Sequence, residues 1–297
     1  MNENGVSVVV PTVRVGDSAI KCFRSIALAL KYFQGNKELI IAVDRKLNLG
    51  DFLYVLVEEF DFIKLLETGG GNGSACTRLK AVQLAKYSVI IFTDDDCIVT
   101  MDWINRMYSG VMNYGAVAGN LESIDKKNAY SIIDAYVDQL RIRTMDSLGN
   151  AKYISFPNFG IKRDRLPVQP FFGLRVNTTE DIDLACRLRL AGVPIYFDEL
   201  SVVITEYPKK FSDLLRRKVK HAQGIAFLRY CLGSQDCKSL GLAETPWKML
   251  LRWSDLSFKA PINFFSRICM FVANAGYCIA LAYYDKVFNK QNKNQLP

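Results

Sequence analysis

Short apolar runs alternate along the chain with longer stretches that show helical periodicity. Residues 6–10, 39–43 and 87–93 are rich in β-branched and aromatic side chains, as buried strands are. The stretches 17–33 and 52–60 instead repeat their apolar positions at helical spacing. This alternation predicts βαβ units and a largely parallel sheet.

The alternation continues, less regularly, beyond the third apolar run. We expect a strand over 116–122, a helix over 129–144 and an extended stretch over 153–162. A further helix is predicted to begin after Thr179, as its N-cap, and to end at Gly192. The chain therefore shows the succession of elements expected of an α/β protein.

The composition changes from about residue 240. Tryptophan and leucine alternate with basic residues over 247–253, and residues 268–284 are apolar except for Asn274. The second run has 17 residues, which is short for a bilayer core of ~30 Å. We therefore predict an interfacial or re-entrant pair of helices with tryptophan and basic anchors. Two helices that pack on a soluble domain are the alternative.

Composition places the chain among globular proteins. Hydrophobic residues make up 50% and charged residues 23% of the 297 residues, so disorder is expected only over 289–297. Eight cysteines without a C-x-x-C pair and a single histidine disfavour a zinc site or a disulfide framework, and they fit a reducing cytosol. No basic segment followed by an apolar stretch precedes the first strand, so a signal peptide is not expected.

The formal net charge of +8 limits the kinds of molecule that the chain is expected to bind. A basic chain binds either nucleic acid or anionic lipid and phosphate. The densest basic cluster, over 209–220, lies just before the apolar C-terminal region and contains no nucleic-acid-binding motif or stacking platform. We therefore expect phosphate and an anionic membrane surface as partners, and no nucleic acid.

Three consecutive carboxylates, Asp94, Asp95 and Asp96, directly follow the apolar run 87–93. The carboxyl end of a buried strand is where open α/β sheets bind their ligands. Because buried carboxylates need a partner, this position points to a cation, and hard oxygen ligands suit Mg²⁺ or Mn²⁺. The alternative is an acidic loop or a helix cap, since Asp is common in both.

A second acidic pair, Glu180 and Asp181, begins the helix predicted after Thr179. Acidic residues in a first turn stabilise a helix, so capping alone explains the pair. A carboxylate held in the first turn of a helix could instead take a proton from a reacting hydroxyl. The sequence leaves both interpretations open at this point.

Taken in order, these segments resemble a family 2 glycosyltransferase of the GT-A fold over residues 6–224. The likeness rests on the first strand and its Pro-Thr end, the second strand ending in Asp, the Ala-Cys-Thr-Arg segment, the D-x-D motif, and the Glu-Asp helix that continues to Arg-Leu. The resemblance implies an α/β fold class with a Rossmann-like, mostly parallel sheet and flanking helices. The C-terminal apolar or amphipathic helices would follow that fold.

The resemblance also assigns roles to residues. It implies that the donor is bound by Pro11, Thr12, Asp44, Arg78, Asp94, Asp95, Asn158, Arg216 and Arg217. It places Asp96 and Asp94 on the metal. Asp181 is predicted to be the base that deprotonates the acceptor and Glu180 to bind the acceptor, with the two roles exchanged as the alternative. Direct displacement by the acceptor hydroxyl would invert the anomeric centre.

One position departs from the pattern of the family. Many relatives carry a metal-binding His after the strand that follows the Glu-Asp helix, and Thr205 stands there in this chain. Glu206 could replace that ligand, or His221 could supply it from the next helix. A His221 that faces phosphate or has a structural role is the other interpretation.

We therefore expect an inverting glycosyltransferase that uses Mg²⁺ or Mn²⁺. It would move a sugar from a UDP-, GDP- or dTDP-linked donor to a glycan or lipid-linked acceptor. This activity would serve envelope polysaccharide, lipid-linked glycan or glycoconjugate synthesis, at the cytoplasmic face of the cell membrane. A sugar-phosphate nucleotidyltransferase and a degenerate, non-catalytic sugar-nucleotide-binding protein are the alternatives.

The expected domain organisation follows the same resemblance. A catalytic domain would occupy residues 1–235, with a nucleotide-binding half over 1–123 and an acceptor-binding half over 124–235. A membrane-associated helical region would follow over 236–297. Acceptor pockets in this fold are built from loops, here 125–150 and 164–177, whose sequences carry no readable specificity.

Overall fold

The computed structural model describes residues 3–14, 16–47, 52–168, 179–259 and 263–293. Most of the second loop expected to form the acceptor pocket, residues 169–178, lies outside the described part. The strands are β1 (Glu3–Thr12), β2 (Lys37–Val43), β3 (Ile63–Glu67), β4 (Tyr87–Phe92), β5 (Cys97–Val99), β6 (Ala116–Ser123), β7 (Phe159–Lys162) and β8 (Tyr196–Thr205). The helices are α1 (Asp17–Tyr32), α2 (Phe52–Glu59), α3 (Gly73–Leu84), α4 (Trp103–Tyr114), α5 (Ala129–Ile142), α6 (Glu180–Leu190), α7 (Phe211–Leu240), α8 (Pro246–Lys259) and α9 (Phe264–Lys293).

Within the described residues the eight strands form one sheet in the order β3-β2-β1-β4-β7-β6-β8-β5. The first four strands of that order, β3, β2, β1 and β4, run parallel to one another. β7 lies antiparallel between β4 and β6, and β5 pairs antiparallel with the end of β8. The predicted α/β fold class is confirmed, although β7 and β5 make the sheet more mixed than the sequence pattern indicated.

The apolar runs form central strands because both faces of the sheet are covered. Along β1, Val8 and Val10 pack into the core on one face, whereas Val9 packs into the core on the other. The same alternation separates Ile41 from Ile40 along β2. A strand buried on both faces requires apolar residues at successive positions, which is the continuous pattern seen in the sequence.

Chain contacts divide the molecule into two compact units. The first comprises Met1–Ile124 and Asp138–Glu206, and it contains the sheet. The second comprises Asp125–Val137 and Tyr207–Pro297, and it contains α7, α8 and α9. The boundaries expected at residues 123 and 235 describe functional halves, and they stay predictions.

The helices expected after residue 240 are present as α8 and α9. Inside the second unit, Leu214 of α7 packs with Met270 and Ala273 of α9 in one apolar cluster. Among the described residues one helix is long and apolar enough to cross a membrane, namely Phe264–Asn289, with a mean hydropathy of 1.5 and 33% of its most apolar window buried. By length and composition it is similar both to a membrane span and to the core helix of a soluble protein.

Candidate active site

The candidate site is built at the carboxyl ends of parallel strands in the first unit. Thr12 ends β1, Asp44 follows β2, and Asp94 to Asp96 follow β4. Since β1, β2 and β4 are parallel neighbours, these residues share one edge of the sheet. That edge is where open α/β sheets bind ligands. Pro11 is the penultimate residue of β1 and lies at the same edge.

The buried Arg78 connects the two acidic motifs. Arg78 lies on α3, and its side chain is 4% exposed. Its Nη1 donates to Oε1 of Glu180 at 2.9 Å, and its Nη2 forms an ion pair with Oδ1 of Asp94. The guanidinium carbon also lies 4.2 Å from the ring centroid of Phe156. Arg78 therefore joins the end of β4 to the first turn of α6.

The charge of Arg78 is maintained by its two partners. Burial by itself would lower the pKa of the guanidinium, but the Asp94 and Glu180 carboxylates raise it. A buried cation without such partners would be strongly destabilising. Glu180 is itself 8% exposed, and the same Oε1 also accepts a hydrogen bond from Ser74. Glu180 is thus held in place by α3.

Asp95 and Asp96 form a second charged group with Arg14. Oδ2 of Asp95 accepts from Oγ1 of Thr12 at 2.6 Å, and Oδ1 lies 3.4 Å from Nη1 of Arg14. Oδ2 of Asp96 accepts from the same nitrogen at 3.0 Å. Burial raises the pKa of Asp95 to about 6, against the opposing effects of Thr12 and Arg14. Burial and the nearby Asp94 also raise the pKa of Asp96. This edge of the sheet therefore carries two carboxyl groups whose ionisation is opposed mainly by burial.

The two residues considered as replacements for the third metal ligand lie in different units. Thr205 is next to the acidic group, because its Oγ1 donates to Oδ1 of Asp96 at 3.3 Å. Glu206 accepts from Oγ of Ser18 at 2.8 Å, and its charge raises the pKa of Arg14. His221 belongs to the second unit. Its ring contacts that of Tyr277 at a centroid distance of 5.9 Å.

The basic residues Arg216 and Arg217, which were expected to bind the donor, also belong to the second unit. Arg216 pairs with Asp213 one turn before it on α7, at 3.3 Å. Arg217 and Lys218 both pair with Asp134, a fully buried carboxylate, at 3.1 and 2.7 Å. Arg217 thus has a structural partner within its own unit.

Asp181 has partners at both carboxylate oxygens, and its Oδ1 accepts a hydrogen bond from the backbone nitrogen of Ile182 at 2.8 Å. Its Oδ2 pairs with Nη2 of Arg141 at 3.1 Å, and its side chain is 16% exposed. Burial raises the pKa of the Asp181 carboxyl, whereas Arg141 lowers it and Glu180 raises it further. Arg141 also lies 3.7 Å from Asp138 on the same helix. A carboxylate with a raised pKa at the start of a helix has the properties of a proton acceptor.

Thr179 has the predicted N-cap position but does not act as a side-chain cap. α6 begins at Glu180, and the Thr179 hydroxyl makes no cap hydrogen bond. That hydroxyl oxygen is buried without a hydrogen-bond partner in the structure. The predicted N-cap position is confirmed by the start of α6, and the carboxylates of the first turn pair with Arg78 and Arg141.

The carboxylate of Asp44 is fully used by the chain itself. Oδ1 accepts from Oγ1 of Thr68 and Nδ2 of Asn72, and Oδ2 accepts from the backbone nitrogens of Asn72 and Gly73. A carboxylate has about four lone-pair sites, so these four bonds saturate it. The hydrogen bonds lower the pKa of Asp44 although burial opposes them. Asp44 therefore fixes the glycine-rich segment and the start of α3.

Asn158 is likewise used within the fold. It is 0% exposed, and its Nδ2 donates to the carbonyl oxygens of Asn120 and Ser201 at 2.9 and 2.8 Å. Its Oδ1 accepts from the indole nitrogen of Trp103 at 2.9 Å. The space around it is filled, since a Cβ at Gly119 would lie 2.2 Å from its Nδ2. Asn158 is fully buried, and its expected contact with the donor stays a prediction.

The acidic edge fits a hard divalent cation. Among the described residues, no three His, Cys, Asp or Glu side chains converge to form a complete metal site. Mg²⁺ in nucleotide-dependent enzymes is commonly held by one or two carboxylates together with substrate phosphates and water. Asp94 and Asp96, which follow β4, offer that donor set.

Comparison with known families agrees with this geometry. A family model described as glycosyl transferase family 2 matches residues 7–165, which is more than half of the chain. The chain belongs to glycosyl transferase family 2. A second model, described as glycosyl transferase family group 2, matches residues 140–284 of this glycosyltransferase family member. The family expected from the sequence is therefore confirmed.

The individual proteins to which the chain is similar share only low sequence identity with it. The chain is 26% identical over 207 residues to the poly-beta-1,6-N-acetyl-D-glucosamine synthase of Staphylococcus aureus strain COL, across 67% of this chain and 50% of the relative. It thus spans about half the length of the curated relatives it matches. A mannosyltransferase, PcManGT from Pyrobaculum calidifontis, in complex with GDP-Man and Mn²⁺, has a TM-score of 0.67 at 15% identity, over 96% of this chain and 87% of that one.

The S. aureus protein TarS, residues 1–349, has a TM-score of 0.55 at 13% identity, over 96% of this chain and 91% of that one. The same TarS fragment in complex with UDP-GlcNAc gives a TM-score of 0.53 at 13% identity, over 96% and 92%. At these identities the likeness concerns the fold. The predicted GT-A fold is confirmed by it.

Three residues that contact the carboxylates of the site were not identified in the sequence as site residues. They are Arg14, Arg141 and, as the second partner of Glu180, Ser74. Arg14 stands two positions after the Pro-Thr end of β1, so its nearness to the D-x-D motif follows from the parallel pairing of β1 with β4. Arg141 carries no comparable signal, since it lies on a helix whose register against α6 cannot be derived from periodicity.

Proposed function

We propose that this chain transfers a sugar from a nucleotide-diphosphate sugar to an acceptor hydroxyl, with inversion at the anomeric carbon. The observation that carries the proposal is the Arg78 contact, which brings Asp94 of the D-x-D motif and Glu180 of the Glu-Asp motif onto one guanidinium. Donor-side and acceptor-side carboxylates thereby share one edge of the sheet. The membership of family 2 supports the same reaction.

The reaction requires a proton acceptor opposite the leaving group. The acceptor oxygen forms a bond to the anomeric carbon while the bond from that carbon to the diphosphate oxygen breaks. The nucleoside diphosphate leaves with the electron pair, and the hydroxyl proton passes to a carboxylate. Asp181 is the proposed proton acceptor, because its side chain remains 16% exposed and burial raises the pKa of its carboxyl.

Glu180 has a different proposed role. Its Oε1 already accepts from Arg78 and Ser74, so protonating it would weaken the contact that connects α3 to α6. It is better suited to fix the helix that carries Asp181, and its second oxygen could bind the acceptor. The exchanged assignment, with Glu180 as base, would require this contact to break during each turnover.

The proposed donor site lies around the ends of β1 and β4. Direct contacts are proposed for Pro11, Thr12, Asp94 and Asp95. Asp44, Arg78 and Asn158 are proposed to position the site, because their polar atoms are engaged within the protein. Arg216 and Arg217 are proposed to bind the diphosphate, because guanidinium groups pair well with phosphate oxygens.

A divalent cation is proposed to bind Asp96 and Asp94. When bound, it would neutralise the charge that grows on the leaving diphosphate. Mn²⁺ or Mg²⁺ suits the oxygen ligands, and the mannosyltransferase with the similar fold was solved with Mn²⁺. Thr205 and Glu206 lie beside or near this acidic group and are the proposed neighbours of the cation on the β8 side.

The substrate class is inferred from the relatives. A similar chain is a poly-beta-1,6-N-acetyl-D-glucosamine synthase, and two structural neighbours were solved with UDP-GlcNAc and GDP-Man. We propose a UDP-, GDP- or dTDP-linked donor and a glycan or lipid-linked acceptor in envelope polysaccharide or glycoconjugate synthesis. The residues up to 235 would then form the catalytic domain.

We further propose that the C-terminal helices bind an anionic membrane from the cytoplasmic side. α9 exposes a stripe of large apolar side chains along one face, which are Phe264 (71% exposed), Ile268 (41%), Val272 (44%), Ile279 (72%) and Tyr283 (61%). These positions repeat at helical spacing and lie on one side of the helix. On α8, Trp247 is 68% exposed next to basic residues. Such a surface suits the interface of a bilayer.

The base assignment predicts different outcomes for two neighbouring substitutions. Asp181→Asn should lower the rate of sugar transfer by ~10²–10⁴-fold, the usual loss for a positioned general base, while donor affinity is kept. Its melting temperature should change little, since Arg141 retains Asp138. Glu180→Gln should instead lower the melting temperature, because it weakens the pairing of buried Arg78. For both variants, transfer assays measure the rate, donor titrations measure the affinity, and thermal unfolding measures the melting temperature. Near wild-type transfer by Asp181→Asn would refute the role.

The pH dependence of transfer tests the same base through its partner. A general base must be ionised, so kcat/KM should fall as the pH drops through the raised pKa of Asp181. Arg141 favours the ionised form of Asp181, so Arg141→Gln should raise the pKa of that carboxyl. The acid limb of the profile of kcat/KM against pH should then move to higher pH. Arg143→Gln, which removes a surface pair with Glu199, is the matched control and should leave the limb in place. A limb that does not move in Arg141→Gln contradicts the assignment.

Membrane association predicts that charge on the exposed stripe releases the protein. The wild-type chain should float with vesicles that contain phosphatidylglycerol, whereas the double variant Ile268→Glu and Ile279→Glu should remain at the bottom of the gradient. Val55→Glu with Leu84→Glu, at aliphatic positions that are 56% and 60% exposed in the first unit, is the control and should still float. Equal flotation of all three proteins would rule out this surface.

A further inference from the structure

Arg14 places a positive charge on the carboxylates that the proposed function assigns to the metal site. Its Nη1 lies 3.0 Å from Oδ2 of Asp96 and 3.4 Å from Oδ1 of Asp95. Glu206 contributes a further negative charge that acts on the guanidinium. One arginine therefore faces the acidic groups of this edge and compensates part of their charge.

This position is built into the fold. The backbone nitrogen of Arg14 donates to Oγ1 of Thr12 at 3.0 Å, and the same hydroxyl donates to Oδ2 of Asp95 at 2.6 Å. Thr12 and Asp95 are buried, with 4% and 8% exposure. The backbone and the side chain of Arg14 are thus both tied to the acidic motif, one through Thr12 and the other directly.

Both carboxylate oxygens of Asp96 are engaged in this arrangement. Oδ1 accepts from the Thr205 hydroxyl at 3.3 Å, and Oδ2 accepts from Arg14. A hard divalent cation binds a carboxylate oxygen at ~2.0–2.6 Å. It would then lie next to the guanidinium, and two positive charges at that separation repel each other. The hydroxyl of Thr205 carries no charge and presents no such conflict.

The Arg14 side chain can leave without disturbing the core. It is 48% exposed, whereas the other arginine of the acidic site, Arg78, is 4% exposed. The carboxylates of Asp95 and Asp96 are 11% and 19% exposed, so only the arginine side of each pair is open to solvent. Solvent on that side weakens the attraction, and a divalent cation brings twice the charge of the guanidinium to the same carboxylates. The contact is therefore weak enough to be exchanged during binding.

We propose that Arg14 is a built-in competitor of the divalent cation. It occupies Asp95 and Asp96 in the absence of the cation, and it leaves Asp96 when the cation binds. The affinity of the site for metal is thereby set below that of the same carboxylates without the arginine. This inference rests on the placement of the metal at Asp96 in the proposed function, and it adds a residue that controls how readily that metal is held.

Direct measurement of Mn²⁺ binding tests the competition without relying on activity. Free Mn²⁺ is followed by electron paramagnetic resonance while the full-length chain is titrated, in the absence of nucleotide sugar. Arg14→Gln should bind Mn²⁺ about fivefold more tightly than wild type, which corresponds to roughly 1 kcal/mol. Arg14→Lys keeps the positive charge and should stay close to wild type. Arg24→Gln removes an arginine of similar exposure (52%), which pairs with Glu59, and should also bind as wild type does.

Asp96→Asn separates this inference from the placement of the metal. If Asp96→Asn weakens binding but Arg14→Gln binds no more tightly than wild type, the competition is overturned and the metal site stands. If Asp96→Asn binds Mn²⁺ as wild type does, the metal lies elsewhere and both ideas fail. Weaker binding by Arg14→Gln, or no measurable binding by it, would also overturn the competition.

Discussion

A single buried cation constrains the geometry of the whole candidate site. Arg78 is enclosed between α3, the ring of Phe156 and two carboxylates, and a guanidinium in that position is tolerable only when its charge is compensated. Asp94 lies at the end of a central strand, whereas Glu180 begins a helix 102 positions away from Arg78 in the sequence. The requirement to pair one charge therefore fixes where α6 begins relative to the sheet, and with it the position of Asp181.

The same principle organises the other acidic residues. In the described part of the first unit, Arg14 pairs with Asp95 and Asp96, Arg78 with Asp94 and Glu180, and Arg141 with Asp138 and Asp181. The three groups differ in burial, because Arg78 is enclosed whereas Arg14 is half exposed. A charge that is enclosed maintains the architecture, and a charge that is accessible can be exchanged for a ligand. Buried charged residues such as Arg78 thus shape the site, whereas accessible ones such as Arg14 could respond to substrate and metal.

The sequence predicted the frame of this site well, because the frame depends on local patterns. Apolar runs located β1, β2 and β4, and their parallel pairing then places Thr12, Asp44 and Asp94 at one edge. The use of individual side chains could not be predicted in the same way. Asp44 and Asn158 were expected to contact the donor. In the structure Asp44 accepts a hydrogen bond from Asn72, and Asn158 accepts one from Trp103. Both partners are distant in the sequence from the residues they contact.

Contacts between residues that are far apart in the sequence explain the other differences between prediction and structure. Arg141 approaches Asp181 only because α5 and α6 are placed by tertiary packing, and hydrophobic periodicity carries no information about that placement. β5 has three residues, too few to produce a pattern, yet it pairs with β8 and thereby holds Thr205 next to Asp96. Composition did locate the C-terminal helices, since their apolar content is a property of the segment itself.

The central claim is that Arg78 is retained to hold Asp94 and Glu180 together, and chemical denaturation of a variant cycle tests it most directly. Arg78→Met should lower the free energy of unfolding of the wild-type chain by roughly 3 kcal/mol, because it leaves two carboxylates without their cation. In the background Asp94→Asn with Glu180→Gln, the same substitution should cost at least about 1.5 kcal/mol less, since those charges are absent. Equal costs in the two backgrounds would mean that Arg78 stabilises the fold by packing alone, and they would contradict the account.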